Sequence, residues 1–144
     1  MTGGPSTGRF RTEVALRWSD QDSYRHLNNA RAVTLLEEAR VALFFTTAAS
    51  DGLGAFAGGL LVAGLNVEYK RQVGYRSGHL LGVEMWVDEV RAASFRIHYT
   101  LHDGPVDQAP VALTAWTRMA TFDLDAQRPR RLGPDERAWL EKWA

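Results

Sequence analysis

The sequence predicts an α+β domain in which one long, largely apolar helix packs against one antiparallel sheet. Three observations carry that prediction. Residues 28–48 are apolar at helical spacing over more than half of the helix circumference. Four later segments alternate apolar and polar residues. Those segments are joined mostly by short polar turns, which favours antiparallel pairing.

Phe10 to Trp18 is rich in strand formers and reads as the first strand. Ser19 to Leu27 is polar and turn-like. The helix then runs from Asn28 to about Ala48, with Ala32, Val33, Leu35, Leu36, Ala39, Ala42, Leu43 and Phe44 on its apolar arc. Arg31, Thr34, Glu37 and Glu38 share the remaining arc. Asn28 or Asn29 suits the N-cap, and Ser50-Asp51-Gly52 supplies the stop. Beyond it the period becomes two. Leu61, Ala63, Leu65, Val67 and Tyr69 form one apolar row, and Leu81, Val83, Met85 and Val87 a second. Phe95, Ile97, Tyr99 and Leu101 form the third, and Val111, Leu113, Ala115, Thr117 and Met119 the fourth. Pro134 to Trp143 suits a short terminal helix, with Pro134 near its start and Trp139 and Trp143 at i, i+4. The expected order is β-α-β-β-β-β with a final helix.

A chain of 144 residues suits one domain, read here as residues 10–144 behind a flexible tail of residues 1–9. With 17 basic against 17 acidic residues the formal charge is zero, which argues against a nucleic-acid partner. The absence of cysteine excludes disulfides, thiolate metal sites and a Cys nucleophile, and fits a cytoplasmic protein. No apolar run approaches the roughly 18 residues of a membrane span, so no membrane role is expected.

Several chemical motifs fail on context. The stretch Gly52 to Gly59 follows a helix and precedes a strand, the reverse of a dinucleotide fingerprint, and reads as a mobile loop. His98 and His102 share a strand face but stand roughly 13 Å apart by strand rise, too far to share one ion. Asp20 and Asp22 lack the further ligands of a calcium loop, so no metal is expected. Arg40 falls inside the apolar arc of the helix, where it needs a partner, and Glu37 is the nearest candidate.

The segment Asp20-Gln-Asp-Ser-Tyr-Arg-His-Leu-Asn-Asn29 crowds two carboxylates, a histidine and two carboxamides into a turn that feeds the helix. The unpaired N–H groups at a helix start can polarise a carbonyl and hold the oxyanion that forms on attack. His26 could orient the carboxylate or a water. Asp and Asn are also the commonest turn and cap residues, so this segment admits both a catalytic and a purely structural reading.

The stretch Trp18 to Asn29, with Leu36-Glu-Glu-Ala-Arg40, the block Leu65 to Leu80 around its Gly-centred turn, and the tail Thr121 to Pro134, resembles the hotdog-fold acyl-CoA thioesterases, the 4-hydroxybenzoyl-CoA thioesterase-like family. The likeness covers about residues 10 to 140. It implies a hotdog fold, a long antiparallel sheet wrapped around one central helix, and hydrolysis of an acyl-CoA to free acid and CoA without a cofactor. The family's catalytic carboxylate falls on Asp22 as nucleophile or general base, its motif histidine on His26, and its carbonyl-polarising amide at Asn29 or next to it. Arg25 stands where the family has Gly, where it could place a cation beside the reacting carbonyl, and Ala32 stands where it commonly has Tyr. Lys70, Arg71 and Arg76, with Arg91 further along the chain, are the candidate partners of the CoA phosphates. The resemblance also implies a homodimer or homotetramer with sites at the subunit boundary, in line with a helix too apolar for one sheet to cover and a strand near Leu61 to Tyr69 with an open edge. A hotdog dehydratase or hydratase, and a non-catalytic acyl-CoA-binding domain, are the alternatives.

Overall fold

The structure, a computed structural model, describes residues 8–144. The expected tail lies outside the described residues except for its last two, and Arg9 is anchored, with its guanidinium 3.7 Å from the Trp86 ring centroid. β1 (Phe10–Ala15) leads through a 3-10 turn (Trp18–Asp20) and the polar segment to α1 (Asn29–Val41). A π-helical stretch (Ala42–Thr47) and a last turn, α2 (Ala48–Ser50), continue the same rod. β2 (Leu60–Tyr69), β3 (Leu80–Asp88), β4 (Ser94–His102), β5 (Val111–Asp123) and a two-residue β6 (Arg128–Pro129) follow, then α3 (Pro134–Glu141).

All pairings between strands are antiparallel, and the sheet order is β1-β3-β4-β5-β2. The sheet curls over the helix, and the predicted rows face it: Leu81, Val83, Met85 and Val87 are buried, as are Phe95, Ile97, Tyr99 and Leu101. Across from them the helix buries Ala32, Leu35, Leu36, Ala39, Leu43, Phe44 and Ala48. The π-helical stretch was not legible in the periodicity. It sits where Phe44 turns into the core while its neighbour Phe45 stays exposed.

Two sequence expectations change. β2 carries a register shift between Val62 and Gly64, so the row Leu61, Ala63, Leu65, Val67, Tyr69 is not one face. Val62 opposes the buried Met119 and Leu65 opposes the buried Thr117, whereas Leu61 opposes Ala120 on the outer side. Periodicity assumes an uninterrupted pleat and cannot see a bulge. The segment from Gly52 to Gly59, expected as a mobile loop, carries a 3-10 turn (Ala55–Gly58) and drives Phe56 into the core. Its last residue, Gly59, has φ of 153° and lies so close to the Phe122 carbonyl that a Cβ would run into it.

Arg40 is accommodated by more than its predicted partner. Its Nη2 lies 3.7 Å from Glu37, and Nη1 donates to the Tyr99 hydroxyl at 3.2 Å. That hydroxyl lies 2.7 Å from Thr117 Oγ1. The two histidines considered for a metal have separate partners. His98 stacks on Trp86 with Asp88 3.0 Å away, while His102 meets the Ala109 carbonyl and the Thr100 hydroxyl.

Aromatic packing locks the far end of the helix. Phe44 stacks on Phe95 and meets Phe56 and Trp139 edge-on, with centroids 5.3 to 5.5 Å apart. Trp139 in turn donates to Asp51 Oδ2 at 2.9 Å, tying α3 to the predicted helix stop. Phe44→Ala should therefore lose about 3–5 kcal/mol of stability, the range for an unfilled aromatic cavity. Urea titration of the two proteins measures the loss.

Candidate active site

The turn before α1 is built by its own polar side chains. Asp20 is fully buried, and its carboxylate accepts from the Arg17 N–H at 2.9 Å and from the Arg17 guanidinium at 3.0 and 3.3 Å. Its carbonyl accepts the Asn28 N–H at 2.8 Å, so Asp20 joins the end of β1 to the start of the helix. Burial pushes the Asp20 carboxyl up, but the Arg17 bonds outweigh it and the net shift is downward.

Asp22 is held differently. Its Oδ1 accepts the Tyr24 N–H at 2.8 Å and the His26 N–H at 3.1 Å, while its own N–H donates to the His26 carbonyl at 2.8 Å. Oδ2 accepts no hydrogen bond among the described residues. The His26 N–H, helped by that of Tyr24, holds the Asp22 carboxyl below its ordinary value against a smaller desolvation effect. Closing this turn requires a left-handed residue, and Arg25 takes φ of 64° there. The glycine conformation survives the arginine at roughly 1–2 kcal/mol of backbone strain.

Asn28 is the N-cap. Its Oδ1 accepts from Ala30 N at 2.8 Å and Arg31 N at 3.2 Å, and Ala32 N donates to the Asn28 carbonyl at 2.9 Å. Of the first four helix N–H groups, the Asn29 N–H alone has no partner among the described residues.

A cavity of about 430 Å³ opens beside this turn, lined by Asp22, His26 and Asn29 on one side and by Tyr69, Lys70, Arg71 and Gln72 on the other. Ala32, Val73, Leu101 and Leu113 supply buried apolar lining. Leu27 N–H donates to the Val73 carbonyl at 2.7 Å, which clamps the two walls together.

Thus Asp22, His26, Asn29, Lys70 and Arg71 meet at one cavity. Arg25 and Arg76 are not among its lining residues. Arg76 lies against His79 at 2.9 Å and 3.5 Å from Asp103, and Arg91 pairs with Glu89 at the other end of β3. Lys70 lies 3.0 Å from Glu68. His26 steadies Asp22 through its backbone N–H, and its ring makes no hydrogen bond to that carboxylate among the described residues. Tyr69 was missed. Its hydroxyl donates to the Asn29 carbonyl at 2.9 Å, a contact between residues 40 apart for which a strand tyrosine gives no sequence signal.

Residues 16–140 match the model of the thioesterase-like superfamily. The chain belongs to that family. The hotdog architecture is shared with solved structures. A predicted thioesterase from Bacillus stearothermophilus is 23% identical, with 94% of this chain and 96% of that one covered at a TM-score of 0.76. The probable thioesterase YbaW from Escherichia coli is 24% identical, with 92% and 97% covered at 0.74. A thioesterase of Thermus thermophilus, complexed with coenzyme A and Zn, is 22% identical, with 92% of each chain covered at 0.71. No curated protein matches this chain.

Within this superfamily member the two turn carboxylates are chemically unlike, one buried in bonds and one half-free. Asp20→Asn should cost about 1–2 kcal/mol, the range for a hydrogen-bonded charge discounted for its half-exposed arginine partner. A carboxyl lowered in the folded state stabilises fully above its unfolded value of about 3.9, and that contribution disappears as pH falls through the folded value. The difference in melting temperature between wild type and Asp20→Asn should accordingly be largest near neutrality and close below pH ~4.

Proposed function

We propose that this thioesterase-like protein hydrolyses acyl-CoA, with Asp22 as nucleophile or general base and the Asn29 N–H as oxyanion donor. One observation carries the reading. Among the described residues, a carboxylate fastened by one oxygen and open at the other shares a cavity with the one unpaired N–H of the helix start. That combination is what acyl transfer needs, a poised attacking group and a donor for the oxygen that becomes negative.

With the thioester carbonyl oxygen on the Asn29 N–H, Asp22 has two routes. As nucleophile it forms a C–O bond to the carbonyl carbon, the C–S bond breaks, and the thiolate takes a proton from solvent. Water then cleaves the mixed anhydride to the free acid and restores the carboxylate. As general base it accepts a proton from the water that attacks, and that proton passes to the departing sulfur. Both routes need Asp22 ionised, and the His26 and Tyr24 N–H groups favour that form. The apolar lining suits the acyl group. Lys70 and Arg71 at the rim suit the CoA phosphates, with Arg71 the freer because Lys70 lies against Glu68.

A homodimer or homotetramer completes this reading. β2 is the sheet edge, ten residues long and paired among the described residues with β5 alone. Val62 and Leu65 face the helix side of the sheet yet remain exposed, and the helical rod exposes Val41 and Phe45. A long apolar edge of this kind calls for a covering partner, and a second copy with the same edge satisfies it symmetrically. Light scattering at micromolar concentration should give the mass of a dimer or tetramer, and a monomer mass would overturn the assembly. With no cysteine in the chain, a cytoplasmic enzyme is the matching setting.

Asp22→Asn keeps the shape and the two accepted bonds but removes the attacking charge. It should fold and bind acyl-CoA, and release thiol at least about a hundredfold more slowly. A thiol reagent reads this directly, because the protein contributes no cysteine. Near-normal turnover in Asp22→Asn together with its loss in Glu37→Gln or Glu38→Gln would move the attacking group onto the helix.

A further inference from the structure

We infer that Tyr69 is a positioning residue for hydrolysis, its hydroxyl setting the direction of the Asn29 N–H by holding the next peptide group of the helix start. The inference rests on the reading above of that N–H as the oxyanion donor.

The Tyr69 hydroxyl donates to the Asn29 carbonyl at 2.9 Å. That carbonyl and the Ala30 N–H belong to one planar peptide group. The Ala30 N–H is itself bonded to Asn28 Oδ1 at 2.8 Å. The peptide after Asn29 is therefore pinned at both ends, by the cap side chain and by a tyrosine from the opposite wall of the cavity. Only rotations about the Asn29 Cα remain to tilt the preceding peptide, which carries the unpaired N–H. That preceding peptide is held in turn through the Asn28 carbonyl, which accepts the Ala32 N–H at 2.9 Å, and the peptide before it through the Asn28 N–H, which donates to the Asp20 carbonyl at 2.8 Å.

The turn reaches the far wall through the Leu27 N–H and the Val73 carbonyl, but among the described residues Tyr69 makes the one hydrogen bond from that wall to the helix-start peptides themselves. Asp20, Asn28 and Ala32 all belong to the turn or the helix itself, so they move with the helix start. Tyr69 is the last residue of β2 and opposes the buried Leu113 in register, which makes the sheet its anchor. Burial raises the pKa of the Tyr69 hydroxyl, so it remains a protonated donor across the neutral range. An oxyanion donor is effective only when its direction is set before the charge develops. A tyrosine that contacts backbone, away from the reacting atoms, thus acts on the turnover step with little effect on substrate affinity.

The test compares wild type, Tyr69→Phe and Asp22→Asn on one acyl-CoA by thiol release, with melting temperature and light scattering alongside. Tyr69→Phe keeps the ring and removes only the hydroxyl. Its kcat should fall about tenfold, less than the ~10²–10³-fold that removing an oxyanion donor outright costs. KM should stay within about twofold, and stability and oligomeric mass should be unchanged. An unaltered kcat overturns the inference. So does a raised KM with kcat preserved, which would make Tyr69 a substrate contact, and so does a loss of stability or mass that accounts for the activity. The attacking group is tested separately by Asp22→Asn. If that variant retains turnover while Tyr69→Phe loses kcat, the assignment of Asp22 fails and the role of Tyr69 stands, because any attacking group needs the donor.

Discussion

A helix that buries Ala32, Leu35, Leu36, Ala39, Leu43, Phe44 and Ala48 cannot lie on a flat surface, because those side chains span too wide an arc for a plane to touch. The sheet has to curl around it, and the twist natural to antiparallel strands allows that. Everything else is arranged by this one requirement. The inward rows of β3 and β4 are apolar apart from the Tyr99 hydroxyl, β2 bulges between Val62 and Gly64, and Phe56 with Trp139 joins Phe95 of β4 in closing the far end of the helix.

Burying the helix also decides where its ends lie. The C-terminal end is sealed among aromatic rings, while the N-terminal end emerges beside the turn from Asp20 to Asn28 and the chain after β2. A helix start has four unpaired N–H groups. Here the Asn28 side chain takes those of Ala30 and Arg31, the Asp20 carbonyl takes that of Asn28, and the Asn29 N–H remains without a partner among the described residues. The two aspartates divide the same way. Asp20 commits both carboxylate oxygens to Arg17, side chain and backbone, whereas Asp22 keeps one oxygen without a partner among the described residues. A stable turn and a reactive one coexist two residues apart because burial and hydrogen bonding differ, not residue type.

The polar interior follows the same logic. Arg40 projects from the buried side of the helix, and its side chain is only 14% exposed. The Tyr99 hydroxyl and Thr117 give the sheet a matching polar spot, and burial raises the phenol's pKa, so that its oxygen accepts from Arg40 while it keeps its proton beside Thr117. A charge removed from water without such partners would be strongly destabilising.

Local pattern was enough for the element order, the α+β class, the inward rows of β3 and β4, that of β5 from Leu113 to Met119, and the polar turn from Asp20 to Asn29. Each depends on side-chain period or turn chemistry within a few residues, which a sequence displays directly. Family likeness then pointed to Asp22, His26 and Asn29 within that segment. Tertiary structure alone decided the rest. It set the bulge that flips Leu61 outward, the plugging of Phe56, and the separation of Arg71, at the cavity, from Arg76, held by His79 and Asp103. It also brought Tyr69 onto the Asn29 carbonyl. These are contacts between segments far apart in the chain, formed only when the sheet closes over the helix. Composition and spacing record what each segment can do alone, and carry no trace of which distant atom completes a hydrogen bond.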